Sequence, residues 1–216
     1  MPSIAPPARV LLAASVATLL LAAAAGAEAV APAPPGVQVV ERLHETLLAV
    51  MKDAEELGYQ GRYDRLAPVL QETYDTPFMA EKSVGRHWKQ ASEAERKALI
   101  ETFSRFMIAN YAGRFDGYSG QHFETLGEEP SVQGTVLVRS RLVEPEGEGV
   151  ELDYRLRPVQ GGWKIIDVYL NGTVSELALR RSEYSSLIKR EGWNAVLTAL
   201  DSRIHDLASA PADKDL

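Results

Sequence analysis

The hydrophobic period of this chain changes twice, and no other feature restricts its fold so strongly. Up to about Tyr111 the apolar residues recur at helical spacing. After Gly120 they alternate: Val150, Leu152, Tyr154 and Leu156 interleave with Glu151, Asp153, Arg155 and Arg157. An apolar face set against a charged one at a period of two is the pattern of an antiparallel sheet covered on one side. From near Ser175 the helical spacing returns. Helices, a strand meander and helices again favour one α+β domain over two separately folding units.

Val40, Leu43, Leu47, Val50 and Met51 predict a helix from Gln38 to about Leu57, with Gly58 at its end. A shorter helix is expected from Tyr63 to Thr73, where Pro68 marks a break or a start, and another short element begins at Thr76. Ser92 and Glu95 form a capping box, the serine accepting from an early backbone N–H while the glutamate reaches back. The helix they open places Leu99, Ile100, Phe103, Phe106, Met107 and Tyr111 along one broad face, large enough either to fill a core or to line a cavity. Strands are expected at Val132 to Val143, Val150 to Arg157 and Trp163 to Leu170, with a fourth at Gln121 to Leu126. Gly147, Gly149, Gly161 and Gly162 sit in the turns between them, and Asn171-Gly172 makes the turn after the last. Leu177, Leu179, Tyr184, Leu187 and Ile188 mark a helix interrupted by Gly192, and Val196, Leu197, Leu200, Ile204 and Leu207 mark the final one. A cleft between the helical layer and the apolar sheet face is compatible with this order, but periodicity alone does not show that it is open.

The compartment is read from the first residues. Arg9 precedes an apolar run from Val10 to Ala25, and small residues follow at Gly26 and Ala27. This is the pattern of a secretory signal peptide. Its 16 helical residues would reach about 24 Å, short of the roughly 30 Å hydrocarbon core. An uncleaved anchor is the alternative. Cleavage after Ala27, with the bond after Ala29 as a competitor, leaves 189 residues, enough for one domain with a sizeable core. The expected organisation is a signal peptide at 1–27, a proline-bearing lead-in at 28–37, one domain at 38–207 and a polar tail at 208–216. Loss of Arg9 leaves 22 basic against 30 acidic residues, which argues against nucleic acid or an anionic membrane surface as an obligatory partner. The chain has no cysteine, so disulfides, thiolate chemistry, thiolate metal sites and a lipid-modified cysteine are all excluded.

Motifs for catalysis are missing. His44, His87, His122 and His205 fall in separate predicted elements with no metal-ligand spacing, and Gly117-Tyr-Ser-Gly120 lacks the GxSxG pattern of a nucleophile turn. Glu151 and Asp153 alternate with Arg155 and Arg157 on what reads as the exposed sheet face, where cross-strand ion pairs account for them. Asp167 stands apart because it interrupts the apolar run Trp163 to Tyr169. Buried without donors it would be costly, so structural hydrogen bonding is the leading reading, ahead of a role at a cavity mouth or in catalysis. No phosphate loop or dinucleotide fingerprint is present. Trp88, Trp163 and Trp193 lack basic interleaving and read as core aromatics.

Several stretches nevertheless occur in an informative order. Val150 to Arg157 (VELDYRLR) is followed by Trp163, Lys164, Asp167, Val168, Gly172, Ser175, Arg181, Ser182 and Tyr184, with Gly85 to Trp88 and the Phe103, Phe106, Tyr111 helix upstream. This combination resembles the MlaC-type, toluene-tolerance family of periplasmic phospholipid-binding proteins over about Gln38 to Leu207. The turn Asn171 to Ser175 carries one residue more between its Gly and Ser than the usual phospholipid-carrier turn, and is similar to the hopanoid-associated HpnM branch. The resemblance implies a mixed α+β domain in which a helical layer packs on a curved, mainly antiparallel sheet and encloses an apolar cavity for acyl chains. It implies a non-catalytic carrier without metal or nucleotide cofactor. Its cargo would be a phospholipid or hopanoid-related lipid. Its partners would be an inner-membrane ABC-transporter-associated component and an outer-membrane lipid-transfer component, with transient membrane proximity. Phe78, Phe103, Phe106, Met107, Tyr111, Tyr154 and Val168 are the expected lipid-contacting residues, with core packing as the alternative for each. An exported enzyme acting on an apolar substrate through Asp167 with Tyr169 or His122, and an envelope interaction module, are the competing functions.

Overall fold

The first element, α1 (Pro35–Lys52), starts with proline in its first turn, where the missing N–H costs nothing, and buries Val37, Val40, Leu43, His44, Leu47, Val50 and Met51. A computed structural model describes residues 33–147 and 149–210. The proposed leader and the end of the tail lie outside them. Helix α1 thus begins inside the expected lead-in, because Pro35 is compatible with a first helical turn as well as with a linker.

The break between the first two helices falls at Asp53, earlier than Gly58. Helix α2 (Ala54–Thr73) follows at once, and Gly58, at φ 57°, kinks it near its start. Pro68 lies inside α2 and neither starts nor ends it. Helix α3 (Thr76–Val84) is capped by Asp75, whose carboxylate accepts from the Phe78 N–H at 3.2 Å. After a single 3-10 segment, α4 (Glu93–Arg114) opens on the expected capping box: Glu95 N–H donates to Ser92 Oγ, and Ser92 N–H donates to Glu95 Oε2 at 2.7 Å.

Five strands form an antiparallel meander in the order β1 (His122–Pro130), β2 (Val136–Val143), β3 (Val150–Val159), β4 (Gly162–Leu170) and β5 (Val174–Ser175). β2 starts later than its apolar residues suggest. Val132–Gly134 is instead a tight turn with Gln133 at φ 59° and Gly134 at φ 71°, a left-handed pair that no strand accommodates. Asn171 and Gly172 are left-handed too, at φ 49° and 68°, and join β4 to β5 as a tight hairpin turn. The last helices are α5 (Glu176–Glu191) and α6 (Trp193–Ser209), separated by Gly192.

Two bulges, at Leu126 in β1 and Ile166 in β4, bend the sheet. Helix α1 packs on β1, β2 and β4; α4 packs on α2 and α6, and α3 on α5. The exposed edge of β4 is covered at both ends: Asp75 N–H donates to Ile165 O at 2.9 Å, and β5 pairs with Tyr169 and Leu170. The charged face of β3 departs from expectation. Arg141 and Glu151 do form a cross-strand pair at 3.2 Å, but Asp153 is buried, accepting weakly from Ser140 N–H at 3.4 Å beside Arg139 at 3.5 Å. Arg157 reaches to Asp75, tying the sheet to the α3 cap at 2.5 Å.

Candidate functional site

The apolar face of the sheet is built from cross-strand rows. Leu142 opposes Val150, Leu152 opposes Leu170, and Tyr154 opposes Val168. The bulge at Ile166 keeps Ile165 and Val168 on this face while turning Asp167 opposite Arg155. Across from these rows, α4 presents Phe103, Phe106, Met107 and Tyr111. The two surfaces do not meet. They enclose a predominantly apolar cavity of about 680 Å³ with a polar mouth, within the range of small-molecule sites.

Six of the seven residues expected to contact lipid line this space: Phe103, Phe106, Met107, Tyr111, Tyr154 and Val168. Phe78 does not. It packs beneath the Arg157 guanidinium, 4.4 Å from its ring centroid, because the Asp75–Arg157 pair fixes the start of α3 against the charged side of β3. Its neighbour Met79, about 100° further round the helix, lines the cavity instead. The sequence also did not single out Tyr74, Met51, Phe115, Leu152 or Leu177 as lining residues. Leu152 was the accessible one, since it shares the alternating face of Tyr154.

The walls are held apart by specific contacts. Tyr111 stacks on Phe115 with ring centroids 5.6 Å apart, and its hydroxyl is hydrogen-bonded to that of Tyr74. Beside the cavity, on the same face of the sheet, buried His44 of α1 lies with Nε2 3.2 Å from the Tyr154 hydroxyl and its ring stacked on Phe123 at 4.0 Å. Burial lowers the His44 pKa to about 3, so the imidazole is neutral. Burial also pushes the Tyr111 hydroxyl up to about 12 and raises Tyr74 and Tyr154, leaving all three protonated at neutral pH. The inner cavity therefore carries hydroxyls but no formal charge on these groups.

Asp167 has a structural role. Its Oδ1 accepts from the Val168 N–H at 2.9 Å and the Leu177 N–H at 3.0 Å, and its Oδ2 from the Ser175 hydroxyl at 2.6 Å. Ser175 in turn caps α5 by accepting from Ala178 N–H. Burial raises the Asp167 pKa against the pull of these donors. His122 lies on β1, three strands from β4, where its imidazole faces Glu124 at 3.5 Å, so the two do not converge. Two separated motifs meet elsewhere: Gly85, at φ 55°, lies against Arg181, where a Cβ would come within 2.9 Å of Nε. Both the left-handed backbone and the contact favour glycine.

A family model described as MlaC protein matches residues 41–202. The chain belongs to the MlaC family. A solved structure of a phospholipid-binding protein from Ralstonia solanacearum in complex with a phospholipid is similar in fold, with a TM-score of 0.71 and 24% identity, covering 82% of this chain and all of that one. It shares the helical layer packed against a curved, mainly antiparallel sheet. As an MlaC-family member this is a periplasmic protein of lipid binding and transport.

Proposed function

We propose that this protein carries a two-chain phospholipid through the periplasm, between an inner-membrane ABC-transporter-associated component and an outer-membrane lipid-transfer component. The supporting observation is the open apolar cavity between α4 and the sheet. A lipid with about 30 methylenes forfeits roughly 24 kcal/mol of gross apolar transfer in water, at about 0.8 kcal/mol per methylene. Residues 1–27 serve in this reading as the export signal. The phospholipid held by the Ralstonia protein, in a fold of the same kind, supports the choice of cargo. A hopanoid-related cargo is the second reading, favoured by the additional residue in the Asn171 to Ser175 turn.

Native mass spectrometry after gentle purification tests the proposal, together with lipid extraction from vesicles. A bound mass equal to a phospholipid is expected in both. Repeated recovery of folded protein without lipid, and failure to extract lipid from vesicles, would overturn it. A bound polycyclic lipid would select the second reading.

A further inference from the structure

The charges around the cavity mouth are not all used by the fold. Arg114, Asp116, Glu144, Glu176 and Arg180 line it. Arg180 is committed: it pairs with Glu176 at 3.6 Å and Glu183 at 3.3 Å, and its guanidinium lies 5.3 Å from the Phe106 ring centroid. Arg203, at the neighbouring shallow pocket, also pairs with Glu183. The side chains of Arg114, Asp116 and Glu144 make no hydrogen bond or ion pair with other described residues. They reach the mouth from three places: the last turn of α4, the loop after it, and the residue after β2. One cation and two carboxylates without a side-chain partner among the described residues thus line an apolar cavity, with Arg114 exposed and Asp116 and Glu144 half-buried.

Such a rim discriminates between headgroups by sign. A phosphodiester finds a planar, permanently charged guanidinium in Arg114, suited to bidentate contact. A headgroup whose only charge is that phosphate also meets two carboxylates of its own sign, within a chain of formal charge −7. A headgroup that adds an ammonium turns both carboxylates into partners. We propose that the cavity mouth selects zwitterionic phospholipids, with the phosphodiester on Arg114 and the ammonium between Asp116 and Glu144. This deepens the carrier reading and rests on it.

Competition between lipids of identical acyl chains isolates the headgroup. The full-length mature protein is incubated with vesicles containing equal amounts of phosphatidylethanolamine, phosphatidylglycerol and diacylglycerol, and the bound lipids are quantified by mass spectrometry. Phosphatidylethanolamine should be enriched over phosphatidylglycerol by about fivefold, the effect of one exposed ion pair. The double variant Asp116→Asn, Glu144→Gln should bring that ratio close to one, with unchanged thermal stability. Arg114→Gln should lower both phospholipids relative to diacylglycerol. Equal uptake of the two phospholipids by the wild type, or a ratio the double variant leaves unchanged, overturns the headgroup assignment while leaving the carrier reading intact. Failure to take up any of the three lipids overturns both.

Discussion

Helices α1 and α4 present similar apolar stripes to the same interior, yet α1 borders the cavity only through Met51 in its last turn, whereas α4 borders it along much of its length. On α1, Val40, Leu43, Leu47 and Val50 are wholly excluded from solvent and belong to the core cluster. On α4, Phe103, Phe106 and Met107 belong to the same cluster and are nearly as inaccessible, at 2–8% exposure, but they also line an open cavity. Low exposure therefore does not separate packing from lining. The difference lies in shape and in support. Branched aliphatic side chains on α1 interdigitate with the helices and strands around them. The α4 wall is aromatic and sulfur-bearing, with Arg180 over Phe106 and Tyr111 held by Phe115 and Tyr74, so it cannot settle onto the sheet.

The sharpest way to expose this difference is to truncate the packed side. Leu47→Ala should cost about 2–5 kcal/mol of stability, measured by denaturant unfolding, because it leaves a void in a filled core. Lipid occupancy of the remaining folded protein should not change. A lipid defect without loss of stability would mean that the cavity wall extends along α1 from Met51 in its last turn to Leu47.

The next largest effect is acid sensitivity, also on the packed side. The His44 pKa is lowered from 6.5 to about 3 in the fold. The unfolded chain therefore takes up the proton first as pH falls below 6.5, and stability present above that pH is lost on acidification. Between pH 6.5 and 5 this amounts to about 2 kcal/mol. His44→Gln should remove that slope from the pH profile of unfolding free energy. Parallel profiles for the two proteins would contradict the burial of a neutral imidazole against Tyr154.

On the open side the pattern reverses. Phe106→Leu should cost less than about 1.5 kcal/mol, since it enlarges a space already present, but should lower lipid occupancy. Phe78→Leu, outside the lining, and Glu151→Gln, on the outer face of β3, should leave occupancy unchanged. Equal occupancy in Phe106→Leu and Glu151→Gln, or a loss in Phe106→Leu explained by unfolding, would remove Phe106 from the functional wall.

This asymmetry also explains what was legible in the sequence. The capping box at Ser92 and Glu95, the alternation from Val150 to Leu156 and the Asn171-Gly172 turn are local signals, and each produces its element. The α1–α2 break at Asp53 is not local in this sense, since no residue type there overrides the helical pattern and tertiary packing decides. The turn at Gln133-Gly134, by contrast, carries a local signal in Gly134 that a strand reading starting at Val132 passes over. Phe78 and Met79 are equally apolar neighbours, and only the Asp75–Arg157 pair settles which one faces the cavity. Asp153 reads as solvated from its position in the alternation, because the covering of a sheet face is not encoded in the strand itself. The hydroxyl pair between Tyr74, just after α2, and Tyr111 on α4 joins residues 37 apart, beyond the reach of any spacing argument.

The central claim is that the space under α4 holds lipid while the space under α1 from Val40 to Val50 is filled by protein. A crystal structure of protein recovered with its native cargo tests it most directly. Acyl-chain density should lie between Phe103, Phe106 and Met107 on one side and Tyr154 and Val168 on the other, with α1 unmoved. Lipid density on the outer face around Phe78, or a lipid-bound protein in which α4 has closed onto the sheet, would contradict it.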